Sequence, residues 1–284
     1  MIALIVDSCT DITAEDVPDV ALYTLPLLVV YGGKEHCGEY RDKLDISSEQ
    51  VCERLHTEIP TTSLPSLSSI HETFARVVAD GFTEAIVVTI SSALSGTYNA
   101  IKLVSEQYSN LKTCLIDTRS IGFGAGFVAV EAARLIRKQT PFAMFKNLLE
   151  KTVRDAKVFF CVESLDYLHK GGRIGEVIYR VGSILNIKPI ISCNEKGAYY
   201  IAHKARGIKA AHKKTLDAAR SFAMRFNSCH VAVVHGAIKD DAKRILIDIR
   251  EHIPNVREIY SGIVSPALIV HTGPDILGIG VQGF

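Results

Sequence analysis

The segment Thr61–Ser66 carries four hydroxyl side chains in six residues, between two stretches with helical periodicity. Hydroxyl groups can donate hydrogen bonds to an oxyanion, so this segment is a candidate anion-binding loop. Helix capping is the alternative, because Ser66 stands where it can cap the helix that follows. Capping needs only one side chain, which leaves Thr62 and Ser63 as predicted binding residues; both interpretations stay open for the segment as a whole.

A second hydroxyl-rich segment, Ser91–Thr97, follows an apolar run that predicts a buried strand and opens a predicted helix. Free N–H groups and the dipole at a helix start favour negative charge. Ser95 and Thr97 would add hydroxyl donors, and Gly96 would let a ligand approach the backbone closely. Capping is again the alternative, but ligands of doubly wound sheets usually bind at the ends of parallel strands, which favours an anion site.

Arg173 and His271 could complete such a site. Arg173 lies in the turn Gly171–Ile174, and a guanidinium pairs with a carboxylate or a phosphate through two parallel hydrogen bonds. His271 follows the apolar run Ala267–Val270 and could donate to the same anion. A surface arginine and a structural histidine are the alternatives. These polar residues by themselves would fit a carboxylate or a phosphate equally well.

Common catalytic and cofactor motifs do not occur in the sequence. There is no Walker loop, HExxH, GxSxG elbow or EF-hand loop. The glycines of Gly122–Gly126 miss the dinucleotide spacing, and those of Gly278–Gly283 match it with no helix to follow. The seven cysteines form no CxxC pair and no metal-ligand spacing, which indicates a reducing compartment. We therefore expect no metal, no cofactor and no catalytic residue.

Length and charge limit the classes of protein. The 284 residues exceed the usual size of one core, so we expect two domains with a cleft between them. The formal charge is +1, and the basic cluster from His203 to Lys214 is more typical of a solvated turn and helix start than of a nucleic-acid site. No stretch reaches the roughly 18–20 apolar residues that cross a bilayer, and Ile2–Val6 has no basic leader, so we expect a cytoplasmic protein with at most transient membrane contact.

Apolar runs alternate with helical stripes in the first half. The runs Ile2–Val6, Ala85–Ile90 and Thr113–Ile116 predict buried strands, and Ser47 with Gln50 forms a capping box at the start of an intervening helix. Alternating strands and helices predict an α/β fold with a parallel sheet covered on both faces.

The second half is predicted to be mixed α and β. We place the domain boundary near residue 156, which divides the chain into 1–156 and 157–284. Two runs, Pro189–Cys193 and Ala198–Ala202, are joined by Asn194–Gly197, which is typical of a β-hairpin. Some antiparallel pairing is therefore expected, and the ligand cleft is expected between the two domains.

Six short motifs in order resemble the DegV family over nearly the whole chain. The motifs are Asp7-Ser8, Thr62-Ser63-x-Pro65-Ser66, Ser91-Ser92-x-Leu94-Ser95-Gly96-Thr97-Tyr98, Asp117-Thr118, Gly171-Gly172-Arg173-Ile174 and His271-Thr272-Gly273-Pro274. The resemblance implies a Rossmann-like first domain and a second α/β domain with a mostly antiparallel six-stranded sheet. It also implies a long-chain fatty acid bound between them.

The resemblance further implies a role for particular residues. Thr62, Ser95, Arg173 and His271 would surround the acyl carboxylate. The protein would be the lipid-binding subunit of a bacterial fatty-acid kinase, a system of phospholipid metabolism in which a separate ATP-binding subunit forms the acyl phosphate. Arg206 resembles a residue that docks this partner. The alternative is an enzyme that acts on an acyl or small carbonyl substrate through Ser95 and His271.

Overall fold

The computed structural model describes residues 1–33, 37–173 and 186–284, and in these ranges the strands form three sheets. The strands are β1 (Ile2–Asp7), β2 (Leu22–Leu25), β3 (Leu28–Gly32), β4 (Cys37–Arg41), β5 (Thr61–Ser63), β6 (Glu84–Thr89), β7 (Lys112–Asp117), β8 (Ala156–Cys161), β9 (Ile187–Cys193), β10 (Tyr199–Arg206), β11 (Cys229–His235), β12 (Val256–Ile263) and β13 (Leu277–Gly283). The α-helices are α1 (Ser48–Arg54), α2 (Leu67–Ala79), α3 (Thr97–Ser105), α4 (Phe123–Arg137), α5 (Phe145–Asp155), α6 (Asp166–Lys170), α7 (Ile208–Ala223), α8 (Lys239–His252) and α9 (Pro266–Thr272). Short 3₁₀ helices span Ser8–Thr10, Ala14–Asp16 and Phe142–Met144.

The first half forms a parallel sheet with the strand order β2-β1-β6-β7. Its central strands are apolar on both faces, as is typical of a parallel sheet that helices cover on both sides. Helices α2 and α3 pack on one face, and α4 and α5 pack on the other. The predicted parallel sheet is confirmed, as is the capping box in which Ser47 and Gln50 bond each other's backbone.

The second sheet has six strands in the order β10-β9-β8-β13-β11-β12. Only β11 and β12 run parallel, so the predicted, mostly antiparallel six-stranded sheet is confirmed. Helices α7 and α8 cover one face. The other face packs against α4 and α5, so these two helices lie between the sheets.

Glycines let α4 approach both halves closely. A Cβ at Gly126 would lie 2.5 Å from the carbonyl oxygen of Thr10, and one at Gly124 would lie 2.8 Å from Cβ of Val158. The glycines of Gly122–Gly126 therefore have a packing role, in agreement with the missing dinucleotide spacing. One hydrophobic core runs continuously from the parallel sheet through α4 to the six-stranded sheet. The domain boundary near residue 156 stays a prediction.

One segment differs from the sequence-based expectation, and one predicted residue is not described. Thr61–Ser63, which we expected in a loop, forms the edge strand β5 of a three-stranded antiparallel sheet with the order β4-β3-β5. Three residues are too few to show the alternation that identifies a strand. Ile174, the last residue of the predicted Gly171–Ile174 turn, lies outside the described residues. Within the described ranges, no helix is long and apolar enough to cross a membrane.

Buried carboxylates fix the start of α9. Asp11 Oδ1 accepts a hydrogen bond from the amide of Ser265 at 3.0 Å, and Asp42 Oδ1 accepts one from the amide of Ala267 at 3.2 Å. Lys43 Nζ lies 3.3 Å from Asp11 Oδ1. Asp7, also fully buried, accepts hydrogen bonds from the amide of Ile90 and from that of Cys9. The carboxylates thus hold a helix of the second half against the carboxyl end of β1.

These carboxylates should make stability depend on pH. Burial raises the pKa of Asp42 to about 6 and that of Asp7 to about 7. A carboxyl group with a raised folded-state pKa binds protons more tightly in the folded chain, so its contribution to stability is lost as pH rises. Relative to Asp42→Asn, the wild-type free energy of unfolding in urea should therefore fall between about pH 4 and pH 6, by at most about 1.4 kcal/mol per pH unit.

Taking the difference from Asp42→Asn cancels the titration of the groups that do not interact with Asp42. The matched control is Asp45→Asn, because Asp45 is exposed and its bond to Arg41 lowers its pKa to about 2. This control should give a constant difference from wild type between pH 4 and pH 6. A wild-type stability that rises relative to Asp42→Asn over this range would contradict the prediction.

Candidate functional site

Five of the predicted binding residues line one cavity between the first and second halves of the chain. Thr62, Ser63, Ser95, Arg173 and His271 contribute polar side chains to this outer cavity, which has a volume of about 30 Å³. The remaining lining residues are Cys9, Leu27, Leu64, Ile90, Leu94, Ile121, Tyr199, Ala267 and Leu268. The cavity therefore joins a small polar cluster to a mainly apolar wall.

A short hydrogen bond joins Thr62 on β5 to His271 in the last turn of α9. Thr62 Oγ1 lies 2.6 Å from His271 Nε2. The other ring nitrogen, Nδ1, is buried without a hydrogen-bond partner among the described residues. A Cβ at Gly171 would lie only 2.0 Å from Nδ1, so glycine is required where the imidazole packs against the backbone. This packing fixes the ring with Nε2 directed at Thr62.

The imidazole of His271 is neutral at physiological pH. Burial lowers its pKa to about 4, and the positive charge of Arg173 lowers it further in the same direction. In the tautomer that is protonated at Nε2, the ring donates to Thr62 Oγ1. The hydroxyl hydrogen of Thr62 is then free to donate to an anion in the cavity.

Arg173 brings the positive charge to the cavity. Its Nη1 donates to the carbonyl oxygen of Gly171 at 2.7 Å, and its Nε lies 3.4 Å from the carbonyl oxygen of Leu94. Both acceptors are neutral, and Arg173 forms no ion pair within the described part of the chain. The exposed guanidinium therefore spans the two halves of the chain and retains its charge for an anionic ligand.

Ser95 is the residue of its segment that reaches the cavity. Its Oγ lies 2.9 Å from Thr97 Oγ1 and accepts a hydrogen bond from the amide of Thr97. Thr97 is fully buried behind Ser95, and neither Thr97 nor Gly96 lines the cavity. A Cβ at Gly96 would make only an ordinary contact with Leu64. Roles for Gly96 and Thr97 in ligand binding stay predictions, and Thr97 positions Ser95 in this structure.

A second cavity continues from the first into the core. This inner cavity also has a volume of about 30 Å³, and it shares Ile121, Tyr199 and Leu268 with the outer cavity. Its other walls come from strands of the six-stranded sheet, from α9 and from connecting segments: Asp11, Gly122, Val158, Phe160, Val234, Val264, Thr272, Ile276 and Gly278. Three shared side chains thus separate the polar cluster from a largely apolar interior. Tyr199 could not be recognised from the sequence as a residue of the site, since its position in a hairpin strand suits any partly buried aromatic residue.

Ser95 and His271 do not form a hydrogen-bonded nucleophile and base among the described residues. No hydrogen bond joins Ser95 to His271, and no described carboxylate bonds to the imidazole to orient it as a base. Asp117 accepts hydrogen bonds from the amide and the hydroxyl of Ser92. The described ranges hold no group of His, Cys, Asp and Glu side chains that could bind a metal ion. Arg206 is exposed at the end of β10 and does not line the cavity.

Three comparisons with known proteins find similarity to the same family. Residues 1–283 match a family model described as "Uncharacterised protein, DegV family". A DegV domain-containing protein from Clostridium acetobutylicum is 41% identical over 278 residues, which are 98% of this chain and 97% of the relative. The solved structure of a stearic-acid-binding protein from Eubacterium ventriosum has a TM-score of 0.88 at 27% identity, covering 100% of this chain and 98% of that chain. A DegV family protein from Thermus thermophilus, described by its fatty acid binding, has a TM-score of 0.90 at 25% identity, covering 100% and 99%.

The geometry predicts how His271 titrates. In protein freed of bound anions, the ring should titrate near pH 4, as followed by NMR of the imidazole resonances. Arg173→Gln should raise this pKa, because it removes a positive charge that opposes protonation. Lys170→Gln is the matched control: it removes a nearby positive charge that does not line the cavity and should leave the titration unchanged. A wild-type ring that titrates at the ordinary value of about 6.5 would contradict the prediction.

Proposed function

The chain belongs to the DegV family, and we propose that it binds one long-chain fatty acid between its two main sheets. The observation that carries the proposal is the order of the two cavities. Hydroxyls, a guanidinium and an imidazole line the outer cavity, and the inner cavity leads from it into the apolar core. This order matches a ligand with one charged end and a long apolar body. Two proteins of similar structure are described as binding stearic acid and fatty acid, respectively.

The carboxylate is assigned to the outer cavity. Arg173 supplies the charge, while the hydroxyls of Thr62 and Ser95 supply neutral donors. His271 acts on Thr62 by holding its oxygen as an acceptor, so that the hydroxyl hydrogen is directed at the ligand. Ser63 lines the same cavity from an exposed position next to Thr62.

The acyl chain supplies most of the binding free energy. At ~0.8 kcal/mol per buried methylene, a sixteen-carbon chain offers on the order of 10 kcal/mol before ordering costs are subtracted. Each cavity holds only about one or two water molecules, so the chain cannot enter without movement of the shared wall. Ile121, Tyr199 and Leu268 are the side chains that would have to turn aside.

We assign the chemistry to a second chain. An ATP-binding subunit of fatty-acid kinase would transfer its phosphoryl group to the bound carboxylate and form an acyl phosphate. In support, this sequence has no phosphate-binding loop of the Walker type, and the exposed Arg173 places the carboxylate end of the ligand close to the surface. Arg206 is proposed to dock this partner. Direct catalysis by Ser95 and His271 has no support from the hydrogen bonds that these residues make.

Bound lipid can be detected directly. Native mass spectrometry of the protein should show one bound fatty acid per chain before solvent extraction and none after it. Arg173→Ala should weaken the retention of added palmitate or oleate by about ten- to a hundredfold, because a charge-assisted hydrogen bond is worth about 1.5–3 kcal/mol.

The matched control for this experiment is Lys170→Ala, a cation close in sequence that does not line either cavity. It should retain the acid like the wild type. Protein that is free of lipid as purified and that binds neither palmitate nor oleate would disprove the proposal. Wild-type affinity in Arg173→Ala would remove only Arg173 from the site.

Chain length should depend on the inner cavity. Ile276 is buried in its wall, and Ile276→Phe adds volume where the end of the acyl chain is proposed to lie. The variant should favour shorter acids, as measured by competition between palmitate and laurate. Ile276→Leu, which keeps the volume, is the control and should keep the wild-type preference. If Ile276→Phe folds, by its thermal midpoint, and still prefers the longer acid to the same extent, the acyl chain does not reach this cavity.

A further inference from the structure

A third cavity, whose lining includes none of the polar residues assigned to the carboxylate, carries an excess of positive charge. It has a volume of about 450 Å³ and lies where the carboxyl end of β7, the start of β8, the β9–β10 turn and the end of α7 meet. Arg119, Arg154, Lys157 and Arg225 line it, and Glu195 is the one acidic residue among its described lining residues. We call it the cationic cavity.

Three of these four cations have no acidic partner among the described residues. Arg119 pairs with Glu150 at 2.9 Å. Arg154, Lys157 and Arg225 form no ion pair in the ranges 1–33, 37–173 and 186–284. Lys157 and Arg225 lie instead over aromatic rings, 5.3 Å from the ring centroids of Tyr200 and Phe222, respectively. Glu195 is the one described acidic residue in the lining, so the cations leave the cavity with an excess of positive charge.

Helix termini explain only part of this cluster. Arg154 lies in the last turn of α5 and Arg225 just beyond the end of α7, where positive charge complements a helix dipole. Lys157 has no such role, because it lies in β8, opposite Val281 of β13. The helix dipole therefore does not explain why this strand position, which lines the same cavity, carries a cation.

A buried hydroxyl supplies an independent observation. Ser120 lines the cationic cavity and is only 6% exposed, and its Oγ is buried without a hydrogen-bond partner in the described part of the chain. An unpaired buried hydroxyl is unfavourable unless a ligand or water completes its bonds. Its neighbour Thr118 accepts a hydrogen bond from the amide of Ser120 and lines the same cavity.

From these observations we infer that the cationic cavity is a second ligand site, which binds a small phosphate ester. Guanidinium and ammonium groups with an adjacent hydroxyl are typical phosphate ligands, and a cluster of three unpaired cations suits a dianion better than a carboxylate. The volume lies in the range of small-molecule sites and exceeds what inorganic phosphate alone requires. Val153, Val158 and Phe222 form an apolar part of the wall, which suits the organic portion of such an ester.

The cationic cavity and the fatty-acid site share the turn Asn194–Gly197 without sharing polar ligands. Asn194 and Glu195 line the cationic cavity. Gly197, at the other end of the turn, accepts a hydrogen bond from Ser91 Oγ at 2.9 Å, at the start of the segment that carries Ser95. The polar residues assigned to the carboxylate line only the outer cavity, so variants of the two sites can be tested separately.

Isothermal titration calorimetry of the intact protein with adenosine monophosphate, glucose 6-phosphate and inorganic phosphate tests the inference. At least one ester should bind more tightly than inorganic phosphate. Arg154→Gln/Lys157→Gln should weaken that binding at least about tenfold, since two charge-assisted contacts are lost. Ser120→Ala should weaken it to a smaller extent and keep the fold.

Lys196→Gln is the matched control, because Lys196 is an exposed cation of the same turn that does not line the cavity. It should bind the ester like the wild type. No binding of any of the three probes, or equal weakening by Lys196→Gln and by the double variant, would overturn the inference. Palmitate retention, measured on the same samples, should be unchanged in the double variant; a loss of ester binding with intact palmitate binding separates this site from the fatty-acid site.

Discussion

The hydrogen bonds from the amides of Ser265 and Ala267 to the buried carboxylates Asp11 and Asp42 determine where α9 begins. Because α9 has only seven residues, fixing its start also fixes its last turn, which holds His271. A third bond, from Ser48 Oγ to the carbonyl oxygen of Val264, ties the same segment to α1. The polar cluster of the outer cavity depends on these bonds, since Thr62 belongs to the first half of the chain and His271 to the second.

Burying carboxylates is unfavourable, and the raised pKa values of Asp7 and Asp42 show the size of the effect. The offsetting interactions are directional: backbone amides, the hydroxyl of Ser8 and the ammonium of Lys43. An apolar contact at the same place could hold the two halves together, but it would not fix the rotation and translation of a short helix as hydrogen bonds do. The exact placement of His271 is a reason to retain these buried carboxyl groups, although they do not favour stability at neutral pH.

The sequence predicted those parts of the fold that local pattern controls. Continuous apolar runs identified the parallel strands, and Asn194–Gly197 identified the hairpin between β9 and β10. The polar residues of the site could be found because hydroxyls beyond capping needs and an arginine beside glycines are unusual. Strand β5, the Thr62–His271 bond and the two cavities could not be found, because each depends on which distant segments meet. Tyr199 and Leu268 are ordinary core residues in the sequence, and only the packing of β10 and α9 places them between the cavities.

Charge distinguishes the two kinds of anion that the chain is proposed to bind. In the outer cavity, burial keeps His271 neutral, so Arg173 is the one full positive charge among the described lining residues. One cation balances a carboxylate and leaves a phosphate dianion undercompensated in a partly buried site. In the cationic cavity three cations form no ion pair with a described residue, and a carboxylate would leave most of that charge unbalanced. If His271 were protonated, the outer cavity would lose this discrimination, so the low pKa of a residue that need not touch the ligand contributes to the choice of ligand.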